Sequence, residues 1–361
     1  MNVASLKTLI SLAEPFLLDQ DFIPILQHFC FKPHSITAYN DAQAIVLECK
    51  TDLCCAVPGK LFSKLLGTIT SDEIELVLNP DKTNLLIGSG RNKAKLPVLS
   101  PKEFVFEMPD VEGIEVVLNE QVKQGFYNCL STVGQNPTQP ERNGITIKVE
   151  REVVHLYTTD GVSISTFKIP GLFAISELEQ MWAIMPTFFC NQLYSLMKTL
   201  KLAPRLIFDE SCVLAYLESH RVFSRVINAE PPKFDAAIEH FVPKPLDEIE
   251  LHKIPDGLVQ ALTRATLMLQ PEKNVKTTTI TLETDGLLKL HTISEKGIAQ
   301  DEIETPFKMA GTQPIKLISD PHYLLRGCNL CDYMTMHEKV FIFGESDRNF
   351  YHLVSTKSAT E

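Results

Sequence analysis

Apolar residues recur at helical spacing in six stretches of this chain, and short alternating runs follow each pair. In the first stretch Leu6, Leu9, Ile10 and Ala13 share one face, the 3.6-residue period of an amphipathic helix. The six predicted helices cover 5–14, 58–69, 120–131, 186–201, 256–269 and 321–330. Three of them open on a proline, at Pro58, Pro186 and Pro321, spaced 128 and 135 residues apart. Proline suits a first helical turn, where its missing N–H has no partner to lose. A period that long marks whole domains of one design rather than a short-repeat solenoid.

Strands are predicted at 25–31, 35–39, 44–48, 73–78, 84–87 and 93–98 in the first copy. The second copy has them at 144–149, 153–157, 163–168, 205–209, 213–219 and 222–228. The third has them at 248–251, 277–282, 287–291, 302–307, 333–337, 339–344 and 349–354. Each unit therefore reads helix, strands, helix, strands. Short connections favour antiparallel pairing. The expectation is an α+β chain of three tandem two-helix, mainly antiparallel-sheet domains: 1–115, 116–234, and 235–361 with a short polar tail.

The chain has 361 residues, 44% hydrophobic and 22% charged, the balance of a globular protein. No apolar run is long enough to span a bilayer. The apolar start, 6–18, is interrupted by Glu14 and Pro15 and lacks a small-residue cleavage site, so it reads as a helix rather than a signal peptide. Nine cysteines are scattered, including a vicinal pair, Cys54 and Cys55, and a lone C-x-x-C, Cys328 and Cys331. His322 and His337 flank that motif without zinc-site spacing. The cysteines read as small buried hydrophobes in a reducing cytoplasm.

Net charge is −11, which argues against nucleic acid as a partner on average. The average conceals a sorting by element. The six helices hold eight basic residues, Lys7, Lys60, Lys64, Lys123, Lys198, Lys201, Arg264 and Arg326, against Glu14, Glu120 and Asp256. They carry +5, so the remainder carries −16. One reading is that Lys and Arg simply favour exposed helix positions, although Glu favours them equally and is scarce here. Helices sharing one face would present a basic, sequence-independent surface to phosphates. No aromatic ladder accompanies it, which favours duplex backbone over single strands.

Several motifs in order resemble the β sliding clamps, the processivity subunits of the replicative DNA polymerase III holoenzyme of bacteria and its bacteriophage counterparts. Ile23-Pro24-Ile25-Leu26 resembles the family's Leu-Pro-Ile-Leu, and Val57-Pro58 with its helix resembles the family's Val-Pro helix. Ser89-Gly90-Arg91-Asn92-Lys93 resembles its Ser-Gly-Arg-Ser-Arg turn. Asn143-Gly144 and Thr159-Asp160-Gly161, their glycines 17 positions apart, resemble its Asn-Gly to Thr-Asp-Gly arrangement. The resemblance covers essentially the whole chain.

It implies a DNA-clamp fold and a homodimer closed into a six-domain ring, with the helices lining a hole for double-stranded DNA and the eight basic residues facing it. It also implies a non-catalytic, cytoplasmic protein without cofactor, metal or membrane contact. The polymerase, clamp loader and repair proteins would dock a short peptide in a pocket of Thr159, Gly161, Ile164, Phe241, Leu353 and Val354.

Four departures stand out. The family's His-Arg after Thr-Asp-Gly is Val162-Ser163, its apolar residue before Asn-Gly is Arg142, its Met-Pro-Met-Arg-Leu ending is Val354-Ser355-Thr356-Lys357, and an expected Arg before Ile23 is Gln20. Two other readings compete. One is a clamp-like protein scaffold that does not encircle DNA. The other is a thiol oxidoreductase using Cys328 and Cys331. No P-loop, G-x-S-x-G or H-E-x-x-H motif is present.

Overall fold

The computed structural model describes residues 1–19, 23–118, 120–150, 153–169, 180–242, 244–269, 277–283, 285–306, 314–337 and 339–358. Gln20 and the end of the strand expected at 302–307 lie outside them.

The first copy starts with α1 (Val3–Ala13), where the Asn2 side chain accepts the Ser5 N–H at 2.9 Å and caps the helix. Then come β1 (His28–Lys32), β2 (Ser35–Tyr39), β3 (Gln43–Glu48), β4 (Cys55–Pro58), α2 (Gly59–Thr68), β5 (Glu75–Leu78), β6 (Asn84–Ser89) and β7 (Asn92–Pro97). The second copy has β8 (Ile114–Val117), α3 (Glu120–Leu130), β9 (Gly144–Glu150), β10 (Val153–Thr159), β11 (Ser163–Ile169) and β12 (Gln180–Pro186). It continues with α4 (Thr187–Leu200), β13 (Arg205–Phe208), β14 (Cys212–Leu217) and β15 (His220–Arg225). The third has α5 (Phe234–Phe241), β16 (His252–Lys253), α6 (Leu258–Met268), β17 (Thr278–Leu282), β18 (Leu287–Ser294), β19 (Gly297–Glu304) and β20 (Ile315–Ser319). It closes with α7 (Pro321–Leu330), β21 (Tyr333–His337), β22 (Val340–Gly344), β23 (Phe350–Ser355) and β24 (Lys357–Ser358).

Two of the three prolines do a different job from the one predicted. Pro58 and Pro186 close β4 and β12 and stand at the N-cap positions of α2 and α4, with ψ of 109° and 143°. A proline keeps the residue before it extended, so it ends a strand as readily as it opens a helix. Only Pro321 lies in a first turn, behind Asp320, whose carboxylate accepts the His322 N–H at 3.0 Å. The strands leading into these helices, β4, β12 and β20, are absent from the sequence reading. The apolar run of β4 does not alternate, because it is buried on both faces. The connector at 229–234 runs into a helix, α5, and the strand expected at 248–251 does not form: a 3₁₀ turn, Leu246–Glu248, is followed by irregular chain up to β16. The polar tail begins as β24, paired with β20.

Strand pairing is antiparallel and yields two eight-stranded sheets, β4-β1-β2-β3-β15-β14-β13-β8 and β12-β9-β10-β11-β23-β22-β21-β16. Each joins the first half of one copy to the second half of the next. At one seam Val46 faces Arg221 and Gln43 faces Ser224. At the other Ser163 faces Val354 and Phe167 faces Phe350. Two smaller sheets remain, β5-β6-β7 and β19-β18-β17-β20-β24. The chain accordingly gathers into two compact units, in the main Met1–Lys123 with Met185–Asn228, and Gln124–Leu172 with Ala229–Glu361.

In each unit the core lies between helices and the inner sheet faces. Phe31 of β1 meets Phe62 of α2 edge to face, ring centroids 5.9 Å apart, and both rings are fully buried. In the other unit α7 lies so close to β22 that a Cβ on Gly327 would come within 2.5 Å of the Phe343 ring.

That approach yields a stability prediction. Gly→Ala in a helix ordinarily stabilises by up to ~1 kcal/mol. At Gly327 overpacking of about 1–3 kcal/mol reverses the sign. Gly327→Ala should lower the melting temperature by several degrees; an unchanged or higher value would contradict the close helix–sheet packing.

Candidate functional site

The chemistry of the second unit gathers at the end of the β11–β23 seam. A cavity of about 210 Å³ is lined by Thr159, Gly161, Val162, Ile164, Phe241, Leu353 and Ser355, among others. β10 and β11 supply Thr159 and Ile164, which face each other across the hairpin. Asp160 organises the turn between them. Its Oδ1 accepts the Ser163 N–H at 2.8 Å, the Val162 N–H at 3.1 Å and the Ser163 hydroxyl at 3.0 Å. Thr159 Oγ1 accepts the Gly161 N–H at 3.0 Å and donates to the Ser163 carbonyl at 2.7 Å. Gly161 has φ of +92°, and a Cβ there would lie 2.4 Å from Arg142 Nη1. Glycine is needed both for the turn and for the guanidinium beside it.

Five of the six residues expected from the resemblance, Thr159, Gly161, Ile164, Phe241 and Leu353, line this cavity. Val354 does not line it. Strand alternation turns Leu353 and Ser355 toward the cavity and Val354, fully buried, to the opposite face. The sequence reading also missed Arg142, Pro232, Lys233, Phe234, Ala237 and Val340 as lining residues. Arg142 and Val162 were flagged only as departures from the family pattern.

The cavity's other wall is α5, which its first turn fixes to the sheet. Asp235 Oδ1 accepts the Tyr157 hydroxyl at 2.8 Å and Oδ2 accepts Lys148 Nζ at 2.7 Å. Burial works to raise the Asp235 carboxyl, but the Lys148 and Tyr157 hydrogen bonds outweigh it and hold it below the ordinary carboxylate value. A carboxylate at a helix N-terminus also complements the helix dipole. Phe234 stacks on Tyr157 with ring centroids 5.0 Å apart. Position and order of α5 therefore follow from one half-buried ion pair and one stacked ring.

Behind the cavity a polar chain crosses the seam. Thr132 Oγ1 and Ser165 Oγ lie 2.6 Å apart, and Ser165 Oγ is 2.8 Å from His352 Nδ1. All three residues are fully buried, so this serine–histidine pair is closed to any substrate. Burial first, and then the Arg326 cation, push His352 down to about 3. Burial likewise pushes the Cys328 thiol up to about 12 and raises Cys331 as well. Burial thus disfavours the thiolate form of both.

The eight basic helix residues fall into two groups. Lys64, Lys198 and Lys201 are exposed and have no ion pair among the described residues. Lys7, half-buried, donates to the Ile69 carbonyl at 2.8 Å, and Lys123 is half-buried. Lys60 is paired with Asp19 and Arg264 with Asp301. Arg326 departs most from its expected role as a DNA-facing cation. Its guanidinium bonds Asp160 at 2.5 Å and lies over the Tyr323 ring, so it braces the turn at the cavity instead. Only 30% of its side chain is exposed.

Among the described residues no cluster of His, Cys, Asp or Glu could hold a metal ion, and no helix is long and apolar enough to cross a membrane.

The chain matches no protein-family model and no curated protein by sequence. Its fold matches solved structures over the whole chain. It aligns with DNA polymerase III subunit beta from Pseudomonas aeruginosa at a TM-score of 0.84, 13% identity and 99% coverage of each chain. It aligns with the Helicobacter pylori beta clamp bound to a DNA ligase peptide at a TM-score of 0.80, 15% identity and 99% coverage of each chain. The fold is that of the β sliding clamp, end to end.

The neutral His352 predicts an acid sensitivity. Below the ordinary imidazole value of 6.5 the unfolded chain takes up a proton that the folded chain refuses until about 3. Stability should therefore fall as pH drops through that window, by roughly 1.4 kcal/mol per pH unit from this group. It should not change on this account above pH 6.5. His352→Gln, which cannot titrate, should flatten the melting-temperature profile between about pH 6 and 4; an unaltered slope would exclude His352 as its source.

Proposed function

We propose that this chain is a sliding clamp that dimerises into a ring around duplex DNA and tethers a replicative polymerase, with no catalysis of its own. The supporting observation is the pair of unfinished sheets. Wherever two copies meet within the chain, the third strand of one copy, β3 or β11, pairs with the last strand of the next, β15 or β23. The same positions in the remaining halves are β19 and β7, and among the described residues each is a sheet edge. An exposed edge is a template for another strand. Pairing β19 of one protomer with β7 of its partner extends the rule to every copy. A two-fold axis makes that pairing twice and closes the assembly.

Charge supports the same pairing. β7 exposes Lys93 and Lys95 and β19 exposes Glu302 and Glu304, so the two edges are complementary. The exposed Lys64, Lys198 and Lys201 then supply phosphate contacts within an otherwise acidic protein. Weak, sequence-independent contacts of this kind restrain DNA without arresting sliding. The cavity beside Ile164 is the docking place for a short peptide segment of polymerase, clamp loader and repair proteins in the cytoplasm; the Helicobacter pylori clamp binds a DNA ligase peptide.

The test has two parts. Sedimentation should give twice 40.6 kDa. Lys93→Glu with Lys95→Glu should weaken the dimer by roughly tenfold or more, and Glu302→Lys with Glu304→Lys in the same chain should restore it. A dimer indifferent to both pairs would place the interface elsewhere. On DNA, protein loaded on nicked circles should be retained and then released when the circle is cut. Retention after linearisation would rule out encirclement and favour a scaffold.

The free cations give a second prediction. Lys198→Glu with Lys201→Glu should shorten retention without changing the dimer. The log–log salt slope should become shallower by roughly 0.9 for each phosphate that is no longer neutralised. An unchanged slope would remove these residues from the DNA face.

A further inference from the structure

A second cavity, of about 760 Å³, lies along another face of α5. Phe234, Ala237 and Phe241 line the first cavity, whereas Asp235, Ile238, Glu239 and Val242 line this one. Its floor is two cross-strand rows of the second eight-stranded sheet. One row is Tyr157, Thr166 and Tyr351, and the other is His155, Lys168 and Asn349. The volume suits a small organic molecule.

Three observations describe what the cavity would hold. Tyr351 is 4% exposed, and its buried hydroxyl has no hydrogen-bond partner among the described residues. Such a group costs stability until an acceptor reaches it. Burial pushes the phenol up to about 12, which favours the donating O–H form. Next, Phe234, Tyr157 and His155 form a near-parallel ladder, with ring centroids 5.0 and 5.6 Å apart and planes within 12° and 17°. Among the described residues the ladder ends at His155, on the cavity. Burial lowers His155 below its ordinary value, which favours an uncharged flat ring. Lastly, the charges do not cancel. Asp235 is committed to Lys148 and Tyr157, and Asp347 to the Asn349 amide and side chain at 3.0 and 2.9 Å. Lys168, Lys244 and Arg348 have no ion pair among the described residues and exceed the exposed Glu239 and Asp247 by one charge. Arg348 donates through Nη1 to the Asp247 carbonyl, which holds the guanidinium at the cavity.

We propose that this cavity is a separate binding site for a small planar aromatic carboxylate, its ring stacked on His155 against Ile238 and Val242 and its carboxylate accepting the Tyr351 O–H beside Arg348 and Lys168. A carboxylate gives the orphan phenol its acceptor and makes a charge-assisted pair with the guanidinium fork. A surplus of one positive charge matches a monoanion; a polyphosphate would meet Glu239 and Asp247 without enough cations to offset them. An uncharged ligand of the same shape fills the space but leaves the cations without a counter-charge.

The experiment titrates 2-naphthoate and its uncharged counterpart, 2-naphthamide, into the full-length protein by calorimetry. The wild type should bind the acid about tenfold more tightly, the scale of a hydrogen bond to a charged group, and the preference should shrink as salt rises. Lys168→Ala with Arg348→Ala should bring the two affinities together. Tyr351→Phe should weaken the acid about fivefold, yet raise the melting temperature of the free protein by removing an unpaired buried hydroxyl. Ile164→Glu, which alters the first cavity, should leave naphthoate binding unchanged. Failure of the wild type to bind either compound would overturn the site, and equal affinities would overturn the carboxylate assignment. Unaltered affinity in Tyr351→Phe would overturn the role of the phenol. Loss of naphthoate binding in Ile164→Glu would place the compound in the first cavity and overturn a separate site.

Discussion

Antiparallel backbone pairing between neighbouring copies is the constraint on which the rest of this structure depends. A one-helix, antiparallel half-domain leaves an edge strand with unpaired N–H and C=O groups. Here β3 is satisfied by β15 and β11 by β23, each in continuous register. Side-chain faces are then decided across the whole eight-stranded sheet at once. A one-residue slip at the β11–β23 seam would send Leu353 inward and Val354 outward, dismantling cavity and core together. The fully buried Thr132–Ser165–His352 chain adds a second check on register, since its hydrogen bonds exist in one alignment only.

Element order was legible because it depends on local period. The six amphipathic stretches fold as helices, and the alternating runs other than 248–251 fold as strands near the predicted places. What was not legible depends on tertiary context. β4 reads as an apolar lead-in because nothing alternates within it, and β20 is only a short Ile-Lys-Leu-Ile-Ser run; pairing with β1 and β17 is what makes them strands. α5 was hidden by its Pro231-Pro232 approach. It is held by Asp235 on Lys148 and Tyr157, 87 and 78 residues away, a link that no window of sequence reveals. The cavity was half legible. Motif matching located Thr159, Gly161, Ile164, Phe241 and Leu353, while strand alternation excludes Val354 and includes Ser355.

The cations on the helices differ in what surrounds them. Counting cations assigns eight to one surface, yet each must be weighed against its neighbours. Lys60 and Arg264 face acids on adjoining segments, and Arg326 is drawn into the Asp160 turn. Exposed ion pairs of this sort contribute little stability, about 0–1 kcal/mol, but they do lower the field available to a distant phosphate. Arg326 is different. Asp160, only 14% exposed, binds the Val162 and Ser163 amides with one oxygen and Arg326 with the other. Losing either partner would leave a poorly solvated charge, so this arginine is structural.

The Asp160 turn also explains why the cavity can hold a cation at all. Asp160 spends its charge on its own turn and on Arg326, and so offers nothing to Arg142, although the guanidinium of Arg142 rests against the very next residue, Gly161. Asp235 is likewise committed to Lys148 and Tyr157. The two acids nearest in sequence to the lining residues Gly161 and Phe234 are therefore both engaged in holding the cavity's walls. Lys233 remains without an internal counter-ion among the described residues and Arg142 has the Glu141 carboxylate 3.9 Å from Nε, so the positive character of the pocket follows from how the fold secures itself, not from an excess of basic residues.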